Sequence, residues 1–464
     1  MTPASLAADL RRAEAIVREL PEGLSPLRAL AAVESAPHTV FFESGGDAGE
    51  SSDWTLLAFD PARRIELGAD APLEALAAAW PERAVIEGAP PIPFLSRLAG
   101  YIGYDFKDRL ERYPARARRE WPLPDLSLGF YDVVWAWRRS TGEGWVVSTG
   151  LSEPDPRRAE AVARERLETQ WRRVERGAAD ETSPVRGQRT ARSNFTRDAY
   201  CRMVETALEH IAAGDIYQVN LAQRFLVECA PSAGAIYRSL REAAPSPFLA
   251  FLSLDGAGIA SSSPERFFRI RGREIETWPI KGTRPRGRTP EEDHELREEL
   301  RRSEKDRAEN VMIVDLERND LGRICEIGSV RVPSLCEIAT HSNVHHFESR
   351  VTGTLREDAD PTEVLRALFP GGSITGTPKI RSVQIIDALE PVRRGVYTGA
   401  IGYWDSRGDC DWNIAIRTIV ARGGQASFHA GGGIVADSTP EAEYEETLVK
   451  ASGMMRALGA IAPA

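Results

Sequence analysis

A polar stretch near the middle of the chain, residues 177–193, most constrains how this sequence can fold. It combines Gly, Ser, one Pro and several charged residues, whereas the segments on either side carry apolar periodicity. Such composition is typical of a boundary between domains. With 464 residues the chain is long enough for two or three domains. We therefore predict an N-terminal region, residues 1–180, and a C-terminal region, residues 190–464.

The two regions differ in their patterns. Short apolar runs with many aromatic residues, at 38–45, 98–105 and 130–137, predict strands in the N-terminal region. After the boundary, helical spacing predicts a helix from about Thr196 to Gly214, and strands and helices then alternate irregularly. We find no fixed-period repeat, no G-x-G-x-x-G and no Walker loop, so the sequence argues against Rossmann and P-loop folds.

Composition excludes several classes of protein. The chain is 42% hydrophobic and 28% charged, and no apolar run reaches the roughly 18 residues of a membrane span. A net charge of −10 argues against nucleic-acid binding and against attraction to anionic lipid. The N-terminus does not resemble a secretory signal, and the five cysteines form no C-x-x-C pair. We expect a cytoplasmic protein with reduced thiols and without structural zinc.

The candidate reactive group is Lys281, which lies in a basic turn at residues 278–287. Nearby arginines and any burial favour the neutral amine, which is a nucleophile, over the ammonium, which is not. Gly282 and Thr283 follow it, and a glycine lets backbone N–H groups approach an anion closely. A basic surface turn is the alternative interpretation.

Two pairs of acidic residues lie on predicted helices. Asp306 and Glu309 follow Ser303, a candidate N-cap, and Glu443 and Glu446 follow Pro440. The members of each pair are three residues apart and so share a helix face. Either pair alone fits acids that stabilise the first helical turn. Together they suggest a shared Mg²⁺ with oxygen ligands.

Glycine-rich segments and single polar residues complete the candidates. The loop at 369–379 ends in Lys379 and predicts an anion site at a helix N-terminus, and Gly431–Gly432–Gly433 permits close backbone approach. Arg417 is either a bidentate carboxylate clamp or an arginine paired with an acid. Glu265 is either a buried general acid or a partner for Arg266.

Seven ordered motifs resemble those of the chorismate-utilising enzymes, a family that includes anthranilate, aminodeoxychorismate, isochorismate and salicylate synthases. They lie at residues 215–221, 263–267, 279–287, 306–310, 371–376, 431–435 and 443–447. Segments 41–44 and 100–105 resemble the family's N-terminal region more weakly. The resemblance implies an α+β fold, an α/β/β/α sandwich of two largely antiparallel sheets with outer helices. The C-terminal region is then the chorismate-binding catalytic domain.

The residue types at two positions distinguish the members of this family. Isochorismate and salicylate synthases carry a water-activating lysine where this chain has Gln218, and a neutral amide cannot act as that base. Anthranilate synthases carry a small residue where this chain has Lys281, and aminodeoxychorismate synthases carry a lysine there. The resemblance therefore implies amination of chorismate at C4 to 4-amino-4-deoxychorismate, in 4-aminobenzoate and folate biosynthesis. The alternatives are anthranilate synthase component I and a non-catalytic subunit that senses chorismate or tryptophan.

The resemblance also assigns roles to residues. Lys281 attacks C2 and Glu265 protonates the departing hydroxyl, while Glu309 and Glu446 hold Mg²⁺ with Asp306 and Glu443 as outer ligands. The implied substrate-binding residues are Gln218, Gly282, Thr283, His346, Thr375, Tyr397, Arg417, Gly431, Gly432, Gly433 and Lys450. Ser44 matches a tryptophan pocket. No cysteine lies in a G-x-C-x-G elbow, so ammonia is expected from a separate glutaminase subunit.

Overall fold

A computed structural model describes residues 10–45, 53–68, 71–80, 83–114, 117–177, 185, 187–340 and 344–462. Within these ranges the chain forms two large sheets and one small parallel pair of strands. The small pair consists of β1 (Arg11–Glu14) and β6 (Ala84–Glu87).

The first large sheet takes strands from both ends of the chain. In spatial order its strands are β2 (Ile16–Glu19), β10 (Gly144–Ser148), β9 (Val133–Arg138), β4 (Trp54–Ala58), β3 (Val40–Glu43), β13 (Phe248–Leu254), β14 (Ala257–Ser263), β23 (Thr418–Arg422), β24 (Gln425–Ile434), β12 (Gln218–Glu228), β11 (Arg189–Ser193) and β25 (Ala460–Ile461), and β20 (Gly376–Thr377) pairs with β12. Every pairing is antiparallel except that of β11 with β25.

The second large sheet is antiparallel and also draws on both regions. Its strands are β17 (Ile280–Pro285), β19 (Val344–Thr354), β16 (Glu274–Thr277), β15 (Arg266–Arg271), β22 (Cys410–Ile414), β21 (Ala400–Asp405), β7 (Arg97–Ile102), β8 (Leu126–Tyr131) and β5 (Arg63–Leu67), and β18 (Arg331–Thr340) pairs with β19. Because each sheet crosses the predicted boundary at 177–193, the division into two domains stays a prediction.

Helices cover the outer face of each sheet. They are α1 (Pro26–Val33), α2 (Leu73–Ala79), α3 (Pro156–Gly177), α4 (Arg197–Ala212), α5 (Ala233–Ala243), α6 (Pro290–Arg302), α7 (Glu304–Gly322), α8 (Pro361–Leu368), α9 (Lys379–Leu389) and α10 (Pro440–Ala457). Short 3₁₀ turns occur at Tyr104–Arg109 and Gly372–Ile374. As the resemblance implied, the result is an α/β/β/α sandwich.

Strand β9 shows how the layers form. Trp135 faces the helices of the first sheet and is fully buried. The preceding residue, Val134, packs between the two sheets. Successive side chains of a strand point to opposite faces, so a strand buried on both faces must be apolar throughout. Tyr101 of β7 belongs to the same inter-sheet cluster as Val134. Buried side chains from both sheets therefore form a core layer between them.

Residues 130–137 do not form the single strand that was predicted. The chain turns at Asp132 and passes from β8 in the second sheet to β9 in the first. The Asp132 carboxylate accepts a hydrogen bond from the backbone N–H of Ser152, which holds the crossing point. Periodicity cannot reveal this change of sheet, because both strands are buried and apolar.

The observed helix starts agree with the predicted ones more closely than the strand at residues 130–137 does. Thr196 caps α4 by accepting a hydrogen bond from Ala199 N–H, and Ser303 caps α7 by accepting one from Asp306 N–H. Pro440 is the first residue of α10. None of the helices in the described residues is both long and apolar enough to cross a membrane.

Candidate active site

Lys281 lies on β17, which pairs with β19 so that Lys281 is opposite Phe347. The register shifts between Lys281 and Thr283, and the intervening Gly282 has a φ of +64°. A β-carbon at Gly282 would lie 2.9 Å from Cβ of Asp306, so glycine is required both for the backbone conformation and for the close approach of α7. This bulge brings the reactive turn against the first turn of α7.

The Lys281 amine is partly buried in a narrow gap. Its Nζ donates to the carbonyl oxygen of Ser373 at 3.4 Å. It also lies 3.5 Å from the point where a β-carbon on Gly433 would stand. Burial lowers the pKa of Lys281 and the charge of Lys450 adds to that effect, whereas Glu309 and Glu265 oppose it. The net shift favours the neutral amine that nucleophilic attack requires.

Glu265 is buried beside this amine, in the turn between β14 and β15. Burial raises the pKa of its carboxyl to about 6, although a hydrogen bond from the Ser373 side chain and the charge of Lys281 favour the ionised form. Arg266, the alternative partner suggested by the sequence, forms an ion pair with Asp411. A carboxyl with this pKa can hold a proton for a leaving group near neutral pH.

Three of the four predicted metal ligands face the same space. Burial is the largest cause of the raised pKa of Glu309 on α7, and the charges of Asp306 and then of Glu446 on α10 add to it. A β-carbon at Gly432 would lie 2.8 Å from Oε2 of Glu443 and 3.5 Å from Oε1 of Glu446. Only a glycine at this position of β24 leaves room for both carboxylates.

These carboxylates are only partly neutralised by the protein. Lys450 pairs with Glu446 at 2.6 Å, and Glu443 Oε1 accepts from the Ser438 hydroxyl at 2.6 Å. The other oxygen of Glu443 is buried and has no hydrogen-bond partner among the described residues. An orphaned carboxylate oxygen beside two further acids fits a hard cation such as Mg²⁺.

Asp306 fits a metal less well, because it bonds Arg284 at 3.2 Å. As the side chains are placed, no three His, Cys, Asp or Glu residues of the described ranges converge closely enough to hold a metal ion. The metal-binding role of all four acids therefore stays a prediction.

The predicted substrate-binding residues fall into several environments. Thr283 and His346 are paired across β17 and β19, and their side chains bond at 2.8 Å. Tyr397 is buried and its ring stacks on His429, with centroids 5.0 Å apart. Thr375 donates its hydroxyl to the carbonyl of Gly371 at 2.8 Å and so closes the glycine loop.

Arg417 is distinctive because its charge is poorly compensated. Its Nη1 donates to the Ser246 hydroxyl at 3.4 Å, and its φ of +50° is unusual for an arginine. Burial lowers its pKa, and no carboxylate of the described ranges contributes to that pKa. The acid-paired alternative for Arg417 is therefore wrong, and the guanidinium is available for an anion from outside the protein.

Gln218 is also left without partners inside the described chain. It is fully buried, and neither its amide nitrogen nor its amide oxygen makes a hydrogen bond there. The nitrogen lies 2.7 Å from the point where a β-carbon on Gly433 would stand. A buried amide in this state costs free energy unless a bound molecule satisfies it.

The cation of the anion site predicted at residues 369–379 is already neutralised by an acid of the chain. Helix α9 begins at Lys379 after Pro378, and the ammonium of Lys379 pairs with Asp320 at 2.6 Å. Ser373 was not among the predicted site residues, yet its carbonyl oxygen accepts from Lys281 and its side chain bonds Glu265. Its position within the glycine loop was the available signal.

Ser44 lies in a separate cavity of about 510 Å³. Its hydroxyl is buried and has no hydrogen-bond partner in the described part of the chain. The aromatic side chains that line the cavity are Phe42, Trp54, Phe248 and Tyr403. Lys281 does not line it, so a ligand here would act at a distance from the reactive amine.

The family model for chorismate binding enzymes matches residues 37–456. The match covers most of the chain and includes most strands of the first sheet, all of the second, the acid pairs and Lys281. This chain belongs to the chorismate binding enzymes, as the ordered motifs indicated.

Similar curated proteins carry two different names, aminodeoxychorismate synthase and anthranilate synthase. The chain is 42% identical over 373 residues to aminodeoxychorismate synthase component 1 of Klebsiella aerogenes, covering 80% of this chain and 78% of the relative. It is 40% identical over 394 residues to anthranilate synthase component 1 of Bacillus caldotenax, covering 82% and 78%. The crystal structure of anthranilate synthase component I from Streptococcus pneumoniae superposes with a TM-score of 0.77 at 30% identity, covering 87% of this chain and 92% of that one.

Proposed function

We propose that this protein aminates chorismate at C4 with ammonia and produces 4-amino-4-deoxychorismate. The observation that carries the proposal is the amine of Lys281, with its lowered pKa, held between Glu265 and the acids of two helices. The relatives named aminodeoxychorismate synthase support the proposed amination. An anthranilate synthase, as expected from the resemblance, would have a small residue at this position.

The reaction proceeds in two displacements. The neutral amine of Lys281 forms a bond to C2 of the ring, the double bond shifts, and the C4–O bond breaks as Glu265 gives its proton to the oxygen, which leaves as water. Ammonia then forms a bond to C4, the double bond shifts back, and the C2–N bond to Lys281 breaks. The proton that ammonia loses returns to Glu265, so atoms and charge balance.

The proposal includes Mg²⁺ because acidic side chains that could bind it lie around Gly432. Glu309 and Glu446 would hold it, with Glu443 and Asp306 as outer ligands. When bound, the ion supplies a positive charge that anchors the ring carboxylate and withdraws electron density from the ring. The residues of the chain keep the tasks of attack, protonation and orientation.

Other groups would orient the substrate. Arg417 offers a substrate carboxylate a guanidinium that pairs with no acid among the described residues. Gln218 offers an amide beside Gly433 that has no hydrogen-bond partner within the same ranges. Gly282, Thr283, His346, Thr375, Tyr397, Lys450 and the backbone of Gly431, Gly432 and Gly433 would line the rest of the site.

Ammonia would come from a partner glutaminase subunit, because relatives named as component 1 imply a second component. All five cysteines are free, which agrees with a reducing cytoplasm.

Tryptophan is the proposed occupant of the cavity at Ser44, where aromatic side chains surround a hydroxyl that has no hydrogen-bond partner among the described residues. Added L-tryptophan should then raise the melting temperature, and a Ser44→Phe substitution should remove that increase.

Anthranilate synthase is the second candidate, because relatives with that activity are nearly as similar. A non-catalytic sensor is less well supported, since Lys281, Glu265 and all four acids are present.

Mass spectrometry of the product from chorismate, Mg²⁺ and ammonium tests the proposal. We expect 4-amino-4-deoxychorismate from the native protein and none from Lys281→Ala. Arg288→Ala is the matched control, because it removes an exposed cation that directly follows the turn at residues 278–287. With ammonium omitted, the intact native protein should gain the mass of chorismate less water. Anthranilate and pyruvate as products, or an active Lys281→Ala variant, would refute the proposal.

A further inference from the structure

A second carboxyl, Glu317, is partly buried next to the glycine loop at residues 369–379 and has no role in the mechanism above. It is on α7 eight residues after Glu309 and four after the fully buried Ile313, so all three share one face of the helix. Its Cγ lies 3.9 Å from the point where a β-carbon on Gly372 would stand. Glu317 is therefore packed against the glycine loop that precedes Ser373.

That loop connects Glu317 with the reacting groups. Ser373 follows Gly372 directly, its side chain bonds the carboxyl of Glu265, and its carbonyl accepts from Lys281. Thr277, at the end of β16, donates its hydroxyl to Glu317 Oε2 at 2.5 Å and fixes the carboxyl in place. The two carboxyls thus lie on either side of one short turn.

Few charges are available to hold Glu317 ionised. Burial raises the pKa of Glu317 to about 8, and the charges of Glu265 and Asp320 add to the increase. Lys379 opposes it, but its ammonium already pairs with Asp320. Glu265 in turn faces Lys281 and Lys450. Two interacting carboxyls in such surroundings lose their protons in two separate steps.

We propose that Glu317 is a positioning residue that shares one proton with Glu265 across the Gly372–Ser373 turn. This inference rests on the proposed function. Loss of the proton from Glu317 makes removal of the proton from Glu265 less favourable, so Glu265 keeps access to a proton at a pH where it would otherwise be ionised. The proton that leaves with the C4 hydroxyl as water comes from Glu265, and the proton that ammonia loses replaces it in the second displacement.

Infrared difference spectroscopy of the full-length protein without substrate tests the carboxyl pair independently of the reaction. The native protein should show a protonated carboxyl that disappears with a midpoint near pH 8, and Glu317→Gln should lack it. Asp315→Asn is the matched control, because it removes an exposed acid from the same helix. Identical titrations in the native protein and Glu317→Gln would overturn the inference while leaving the proposed function untouched.

The kinetic test measures kcat/KM for amination from pH 5.5 to 9, with total ammonium adjusted so that free NH₃ is constant. The ratio of Glu317→Gln to native protein should be near one at the acid end. A coupling of about one pK unit between the carboxyls corresponds to a tenfold fall in that ratio by the alkaline end. A ratio that does not vary with pH would overturn the inference.

Thr277→Val keeps the Glu317 carboxyl and changes its pKa. The Thr277 hydroxyl favours the ionised form of Glu317, so its removal should shift the disappearance of the protonated carboxyl to higher pH. An unchanged or lowered midpoint in Thr277→Val would count against the shared proton, whereas failure of the native protein to form 4-amino-4-deoxychorismate would count against the proposed function.

Discussion

The amine of Lys281 lies 3.5 Å from the point where a β-carbon on Gly433 would stand. Lys281 belongs to the second sheet and Gly433 to the first, so the amine lies between strands of the two sheets. Because Gly431, Gly432 and Gly433 carry no side chains, this part of β24 leaves a gap beside the amine. A flat ring could enter this gap, and the width of the gap depends on the glycine at position 433.

Gly433→Ala should therefore impair activity without unfolding the protein. The added methyl would lie 2.7 Å from the amide nitrogen of Gln218 and must displace it. Displacements of about 1 Å in a site can cost on the order of a hundredfold in rate, so we expect kcat/KM to fall by ten- to a hundredfold. Gly322→Ala is the control, since a β-carbon there meets nothing within 4 Å. Equal kinetics for the two variants would contradict this description of the gap.

The proposed metal site predicts a specific response to Mg²⁺. Millimolar Mg²⁺ should raise the melting temperature of the native protein, because a ligand that binds only the folded state stabilises it. Glu309→Gln and Glu446→Gln should lose both this increase and amination, the latter by on the order of a hundredfold.

Glu445→Gln is the matched control, because Glu445 lies next to Glu446 but pairs with Arg197 on the surface at 3.2 Å. It should keep the response to Mg²⁺ in full. A stabilisation by Mg²⁺ that survives in Glu309→Gln and Glu446→Gln would place the ion elsewhere.

Glu317 predicts a pH-dependent stability. Its pKa rises from an ordinary 4.5 to about 8 in the folded protein. Below pH 4.5 both the folded and unfolded states carry the proton, and as the pH rises toward 8 only the unfolded state loses it. The native protein should therefore lose stability relative to Glu317→Gln over this window, by at most about 1.4 kcal/mol per pH unit. Melting temperatures of both proteins from pH 4.5 to 8.5 measure the difference, and parallel curves would rule the effect out.

Local patterns predicted the parts of this protein that depend on short stretches of sequence. The caps at Thr196 and Ser303, the start of α10 at Pro440 and the spacing of the acid pairs are local, because a helix repeats every 3.6 residues. The ordered motifs identified the family for the same reason, since each motif is a few consecutive residues. They also implied the sandwich of sheets, which periodicity alone left as mixed α and β.

The sequence by itself determined the family, the reactive lysine proposed here and the acids around it. Only the tertiary structure decided which charges cancel: Lys379 pairs with Asp320, 59 residues away, whereas Arg417 meets no carboxylate of the described chain. It also decided that the chain changes sheets at Asp132 and that Glu317 lies against Gly372. Burial and electrostatic pairing depend on contacts between distant segments, and such contacts leave no periodic trace along the chain.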